Sequence, residues 1–190
     1  MGAPRGRAIL AVSMEPVEIR QAAPDDADAI ADIHVRAWKH AYRGLMPQDQ
    51  LDQLDVARRA AWWRGILESP PFEGQRTWLA VRAGAPVGFA TAGHTRDEGE
   101  DPAQVGELQA IYVAPEAWRS GIGSALMRVV VDHLSAQSFE EATVWVLTGN
   151  QMGRAFYEKH RWALDGGAKS EVWDGVAMDE IRYRLRLRSS

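Results

Sequence analysis

"AWRSGIGSALMRVVVDHL", residues 117–134, carries two glycines one residue apart and then a long apolar-striped run. Glycine permits φ > 0 and lets a ligand approach the backbone closely. The first N–H groups of a helix have no partner inside it, and with the helix dipole they form an anion site. The stretch therefore reads as a loop that opens a helix. It is either a phosphate cradle or a plain helix start in which Gly123 serves packing. Two common cradles fail on spacing. A Walker A loop ends in Gly-Lys-Ser/Thr, and no lysine stands here. A dinucleotide fingerprint needs glycine at 126, where Leu126 stands, and it belongs to a first βα unit, whereas this loop follows about 115 residues.

The flanks extend the pattern. "QVGELQAIYVAP", residues 104–115, reads as a strand stopped by Pro115, and "EATVWVL", 141–147, as another. A helix crossing between two strands demands roughly parallel neighbours. "NQMGRAFYEKH", 150–160, reads as a further helix. Toward the N-terminus, "VEIRQA", 17–22, is a first strand, and Pro24 and Asp25 start a helix. On it Ile30, His34, Trp38 and Tyr42 share a face. Residues 49–67 add further helical turns, and Trp78–Arg82 with Val87–His94 form a hairpin turning at Ala83–Ala85. In the tail, "DEIRYRLRL", 179–187, alternates as a half-exposed strand, while the segment between Gly166 and Met178 reads as loop.

The whole chain bounds its class. Its 190 residues suffice for one domain with a sizeable core, with no repeat and no linker. Residues 1–14 read as a disordered extension, with Met14 as an alternative start, and 15–190 as the domain. No apolar run approaches the ~20 residues that span a membrane. A net charge of −4 argues against a nucleic-acid partner. The absence of cysteine removes disulfides, thiolate metal ligands and cysteine nucleophiles, and fits a reducing cytoplasm. No metal is expected.

"ELQAIYVAPEAWRSGIGSALM" resembles motif A of the GNAT acetyltransferase superfamily: a strand, Val-x-Pro, then Gln/Arg-x-x-Gly-x-Gly/Ala opening a helix. Val113-Ala114-Pro115 and Gly121-Ile122-Gly123 stand at the right offsets. "NQMGRAFYEKHRW", 150–162, is similar to motif B, an Asn followed seven residues later by Tyr. The resemblance covers about residues 17–187. It implies one α/β (α+β) domain: a mixed, mostly antiparallel sheet of about seven strands, with a central parallel pair splayed around the coenzyme and helices on its faces. One position departs from the pattern. Trp118 fills the Gln/Arg slot, with Arg119 beside it, so the loop must bind chiefly through its backbone.

The resemblance implies acetyl-CoA as cosubstrate. Its pyrophosphate would rest on the backbone of Arg119, Ser120, Gly121, Ile122, Gly123 and Ser124. Its pantetheine arm would add like a strand beside Ile111, Tyr112 and Val113. Asn150 would reach the pantetheine, serve as a helix N-cap, or both. The reaction implied is direct attack of a primary amine on the thioester. An amine of pKa about 10.4 is neutral in roughly one molecule per thousand near pH 7.4, so a base or a desolvating pocket helps. Tyr157 stands at the family's general-acid position; otherwise it is a packed tyrosine with its hydroxyl satisfied. Relatives that acetylate a ribosomal protein N-terminus carry a glutamate five residues before the Asn, and here Trp145 stands there. Glu107, at the start of the strand before the loop, is the expected base, or else a solvated strand end. His94 is the reserve.

On the acceptor side Trp38 and Tyr42 are either an aromatic wall or core residues, and His94 faces the same region in such folds. Trp62 and Trp63 put one ring inside and one near the surface, which leaves a homodimer open. The expected activity is N-acetylation of a small primary amine. The alternatives are a protein N-terminus or lysine as acceptor, and a non-catalytic acyl-CoA-binding module.

Overall fold

A computed structural model describes residues 16–72, 74–173 and 176–187. The expected extension 1–14, with Met14, lies outside the described residues. Strand β1 (Val17–Gln21) leads through a 3₁₀ turn, Pro24–Asp26, into helix α1 (Ala27–Ala41). Asp26 fixes that corner: its carboxylate accepts from Arg20 at 2.7 Å and from the Ala23 N–H at 2.8 Å. Helices α2 (Gln48–Asp52) and α3 (Val56–Glu68) follow, the latter capped by Asp55, whose carboxylate accepts from the Arg58 N–H. Strands β2 (Arg76–Arg82), β3 (Ala85–His94) and β4 (Val105–Val113) form a meander, with a tight turn at Ala83–Gly84. Then come α4 (Ile122–Ala136), β5 (Glu141–Leu147), α5 (Gln151–Lys159), β6 (Ala163–Trp173) and β7 (Val176–Arg186). No described helix is long and apolar enough to cross a membrane.

The seven strands form one sheet in the order β1-β2-β3-β4-β5-β7-β6. Every neighbouring pair is antiparallel except β4 and β5, which the α4 crossover makes parallel. Those two strands pair only over Val105–Glu107 against Glu141–Thr143. Beyond that point β4 runs on to Val113 and β5 to Leu147 with no pairing between them. A bulge in β4 opposite Thr91 and Ala92 inserts Gln109 and bends the strand. The outcome is the splayed central pair that the sequence led us to expect.

The tail differs from expectation. Residues 168–173 are strand, paired with 176–181 in the register Lys169↔Glu180 and Glu171↔Met178. Gly166 and Gly167 sit in the register break between Leu164 and Ala168, which erases the alternation a sequence reading depends on.

The main core lies between the sheet and α1, α3 and α4, around Ile30, Ile33, Trp63, Phe89, Leu126 and Val130. A smaller cluster of Trp38, Tyr42, Met46, Leu51, Leu147 and Met178 closes the end of α1 against the β5–β7 half of the sheet. Inside the main core His34 is buried, with Trp63 Nε1 donating to its Nδ1 at 3.0 Å and the Tyr112 ring stacked on it at 4.8 Å. Burial, helped by the Arg59 charge, lowers its pKa from 6.5 to about 3. The unfolded chain therefore binds a proton that the folded one refuses between those two values. Stability is complete above pH 6.5 and falls as pH drops toward about 3. His34→Gln, whose amide oxygen can still accept from Trp63, is expected to flatten the melting temperature between pH 6.5 and 4, with roughly 5 kcal/mol at stake over the full window. An unchanged slope in calorimetry would assign the acid sensitivity to other groups.

Candidate active site

The gap between β4 and β5 opens into a cleft of about 1710 Å³. Its walls include the open edge of β4, the glycine loop, α5 and the end of α1.

The loop is built by two left-handed residues. After the 3₁₀ turn Pro115–Ala117, Trp118 is extended, Arg119 has φ 58° and Gly121 has φ 86°. An L side chain rarely takes that conformation, so glycine suits position 121. A Cβ at Gly121 would meet nothing within 4 Å, so the backbone faces open space. The first intrahelical bond of α4 runs from the Ala125 N–H to the Gly121 carbonyl. The N–H groups of Ile122, Gly123 and Ser124 therefore lie ahead of the ladder, and all three residues line the cleft. At Gly123 a Cβ would approach Phe156 Cε2 to 3.2 Å. That glycine lets α5 pack tightly on α4, so packing and anion binding coexist in one loop. Ser124 Oγ and His160 Nε2, 3.0 Å apart, tie the same two helices.

Trp118 has a task the sequence did not disclose. Its Nε1 donates to the Val113 carbonyl at 2.7 Å, and its ring meets His40 edge-on at 4.6 Å. The indole staples the loop to the end of β4 and α1. Ser120 Oγ donates to the Ala117 carbonyl at 2.5 Å, and Arg82 reaches the Ser120 carbonyl at 3.3 Å. Arg119 is exposed at the cleft rim. We expect Trp118→Phe to weaken acetyl-CoA binding about three- to tenfold by calorimetry, the value of one hydrogen bond that orders the loop. Undiminished affinity would mean that the loop is set without the staple.

Ile111, Tyr112 and Val113 are half-buried on the unpaired stretch of β4. Their other edge is taken by Ala90, Phe89 and Gly88 of β3. An extended ligand has one free edge to join. Asn150 is an N-cap: its Oδ1 accepts from the Gly153 N–H at 2.9 Å, and the residue also lines the cleft. These groups fit a pantetheine diphosphate. The fit rests on the open left-handed backbone at Gly121, the unpaired amides of α4 and the unpaired strand edge.

Tyr157 lies on α5, buried, with Trp162 and Tyr183 around its ring. Its hydroxyl makes no hydrogen bond among the described residues and opens on the cleft. Burial pushes its pKa well above that of a free phenol, with the charge of Glu180 adding to the shift. The group stays protonated and can donate.

Glu107 is neither solvated nor free. It is 2% exposed and stands where β4 and β5 are still paired, opposite Thr143. Arg96 holds both of its oxygens through Nε and Nη2, and the Arg96 N–H donates to Oε2 at 2.9 Å. A proton arriving there would have to break this fork. His94 does not line the cleft. Its ring packs edge-on against Phe72, and Nδ1 lies 2.8 Å from the Thr95 carbonyl oxygen. The bulge after Thr91 shifts the register just before His94 and sets Gly93 opposite Glu107.

Trp38 and Tyr42 are both core and wall. They are buried, in mutual ring contact at 5.1 Å, and exposed to the cleft on one side. Tyr42 Oη and Tyr112 Oη lie 3.4 Å apart. Arg59 lies over the Trp38 and Trp62 rings, each at 5.6 Å. Across the cleft, Trp145 donates to Asp97 at 2.9 Å, with Lys169 above its ring at 4.4 Å. Glu180, which the sequence reading passed over, is also buried on this wall. On β7 it shares a face with Met178 and Arg182, opposite the apolar alternation of 181–187, so residue type alone gave no signal of its burial.

Comparison with known proteins agrees with this geometry. The acetyltransferase (GNAT) family model matches residues 28–161. The "Probable N-acetyltransferase Rv2775" of Mycobacterium tuberculosis is 29% identical over 89% of this chain and 93% of its own. The "Uncharacterized N-acetyltransferase YuaI" of Bacillus subtilis is 32% identical over 70% of this chain and 73% of its own. Among solved structures, Salmonella typhimurium yncA with its cofactor acetyl-CoA superposes with a TM-score of 0.67 at 20% identity, covering 92% of this chain and 95% of that one. With the glycine loop, the splayed strands and the motif B helix in place, the chain belongs to the GNAT family of acetyl-CoA-dependent acetyltransferases.

Proposed function

We propose that the chain acetylates the primary amine of a small molecule in a ternary complex. The observation that carries this reading is the hydroxyl of the buried residue Tyr157, which makes no hydrogen bond among the described residues and lies on the cleft shared by the glycine loop and the aromatic wall. Acetyl-CoA supplies an acetyl thioester, activated for attack at its carbonyl carbon. The chain's residues do the rest. The amides of Ile122 to Ser124 bind the diphosphate, and the free edge of β4 aligns the arm with Tyr157. The amine nitrogen bonds to the carbonyl carbon and the C–S bond breaks. Tyr157 gives its phenolic proton to the departing sulfur, and the acylated nitrogen returns a proton to the tyrosine. The buried rings of Trp38 and Tyr42 suit the carbon arm of a small amine.

Thiol release from acetyl-CoA tests the reading, with phenethylamine, putrescine, free lysine and a tripeptide as acceptors. We expect at least one small amine to accelerate release well beyond the tripeptide. Preference for the tripeptide would make the acceptor a protein. Tight acetyl-CoA binding with no amine-dependent release would leave a non-catalytic acyl-CoA-binding module.

A further inference from the structure

Among the described residues two carboxylates are buried on the cleft wall, and they differ in what holds them. Glu107 is gripped by the Arg96 guanidinium and backbone. Glu180, on β7 opposite Leu147 of β5 and Lys169 of β6, is 8% exposed and far less constrained. Its ion pair with Lys169 is long, 3.5 Å from Nζ to Oε2, and the same ammonium lies closer to Glu171, at 2.7 Å. The acid therefore has oxygen lone pairs to offer a ligand. Its charge also reaches the right neighbours, since it raises the phenol pKa of Tyr42, Tyr112 and Tyr157. One carboxylate thus shares its space with the aromatic wall and with the acid that meets the leaving sulfur.

We infer that Glu180 is the carboxylate that receives the ammonium head of the acceptor and takes its proton. This rests on the primary-amine reading above. In the step, an N–H bond of the ammonium breaks and its electron pair stays on nitrogen. An O–H bond forms on Glu180, which later releases the proton to solvent. An ammonium that reaches this wall leaves water for a buried carboxylate, which compensates its desolvation until the proton moves. The rings of Trp38 and Tyr42 lie on the same wall to hold the carbon arm.

The charged and titratable groups facing Glu180 set the pH response. Lys169 and Glu171 come from β6, Arg96 from the loop after β3, Tyr42 from the end of α1, Tyr112 from β4 and Tyr157 from α5. Burial pushes the Glu180 carboxyl up, Glu171 adds to this, and Lys169 and Arg96 oppose it. A base must be ionised, so kcat/KM falls as pH drops through this raised value. Removing Lys169 removes an opposing cation, which moves the fall to higher pH.

The test uses the full chain and whichever amine of the panel releases thiol fastest. In Glu180→Gln, kcat/KM is expected to drop about a hundredfold or more, within the range for loss of a general base, and to lose its acidic limb, while acetyl-CoA affinity holds within threefold. Lys169→Gln is expected to keep the limb but shift it to higher pH. Carboxyl-carbon NMR of the coenzyme A-loaded chain gives a readout without turnover: Glu180 should titrate above the ordinary glutamate range and move when phenethylamine is added. A Glu180→Gln enzyme within threefold of wild type with its limb intact overturns the inference. So does a limb that disappears in Glu107→Gln and survives in Glu180→Gln, or a Glu180 carboxyl that titrates in the ordinary range. A wild-type chain in which no amine of the panel accelerates thiol release defeats the acetylation reading itself, and the inference falls with it. The two failures are distinct, because only the first leaves an active wild type.

Discussion

Tyr157→Phe is expected to lower kcat about a hundred- to a thousandfold while acetyl-CoA affinity changes less than threefold. The substitution removes one oxygen and keeps the ring. The ring packs between Trp162 and Tyr183, so the fold loses little. The hydroxyl contributes no hydrogen bond among the described residues, so its removal orphans no buried partner. On the proposed mechanism, what disappears is the proton for the departing sulfur. The split between kcat and binding separates an acid from a packing residue. Single-turnover thiol release with pre-bound acetyl-CoA measures it directly, and full activity in the phenylalanine enzyme would remove Tyr157 from the chemistry.

Gly121→Glu is expected to weaken acetyl-CoA binding more than a hundredfold. Two effects combine. A side chain at φ 86° strains the loop, by about 1 kcal/mol in the left-handed region. The larger effect is a carboxylate placed where the proposed diphosphate site lies, against the amides that would bind it. Gly121→Ala separates them. Its Cβ meets nothing within 4 Å, so only the strain remains and the loss should be about tenfold or less. Calorimetric titration of both variants decides. Equal losses would place the effect in loop geometry, and retained binding in the glutamate variant would move the diphosphate elsewhere.

Much of this architecture was legible in the chain. The Val113-Ala114-Pro115 stop and the paired glycines constrain the backbone locally and marked the β4–α4 crossover, while the α5 start was marked by Asn150 as an N-cap candidate and by the resemblance of 150–162 to motif B. What escaped depends on contacts distant in sequence. Arg96 reaches Glu107 by folding back across the loop after β3, and that pairing locks the carboxylate that the sequence offered as a base or a solvated strand end. The direction of His94 is set next to a bulge that leaves no trace in residue type. The strand at 179–187 was legible from its alternation, but residues 168–173 and 176–178 of the same hairpin were not, because Gly166 and Gly167 break the period of two where the register shifts. The burial of Glu180 was hidden too, because it appears only when β7 is laid between β5 and β6. Trp118 looked like a lost polar contact and proved to be a staple that acts through its ring nitrogen.

The brief contact between β4 and β5 also has a mechanical meaning. Backbone pairing joins the β1–β4 half-sheet to the β5–β7–β6 half-sheet through only three residue pairs, from Val105↔Glu141 to Glu107↔Thr143. An extended substrate arm lying along the free edge of β4, as proposed, would be a temporary strand of the protein and would bridge two halves that otherwise pair at one end. Its occupancy should couple their opening, so that amides on both sides of the gap exchange more slowly together when the arm is seated. In this sense the cosubstrate would complete the sheet, and each turnover would return the chain to its unfinished form.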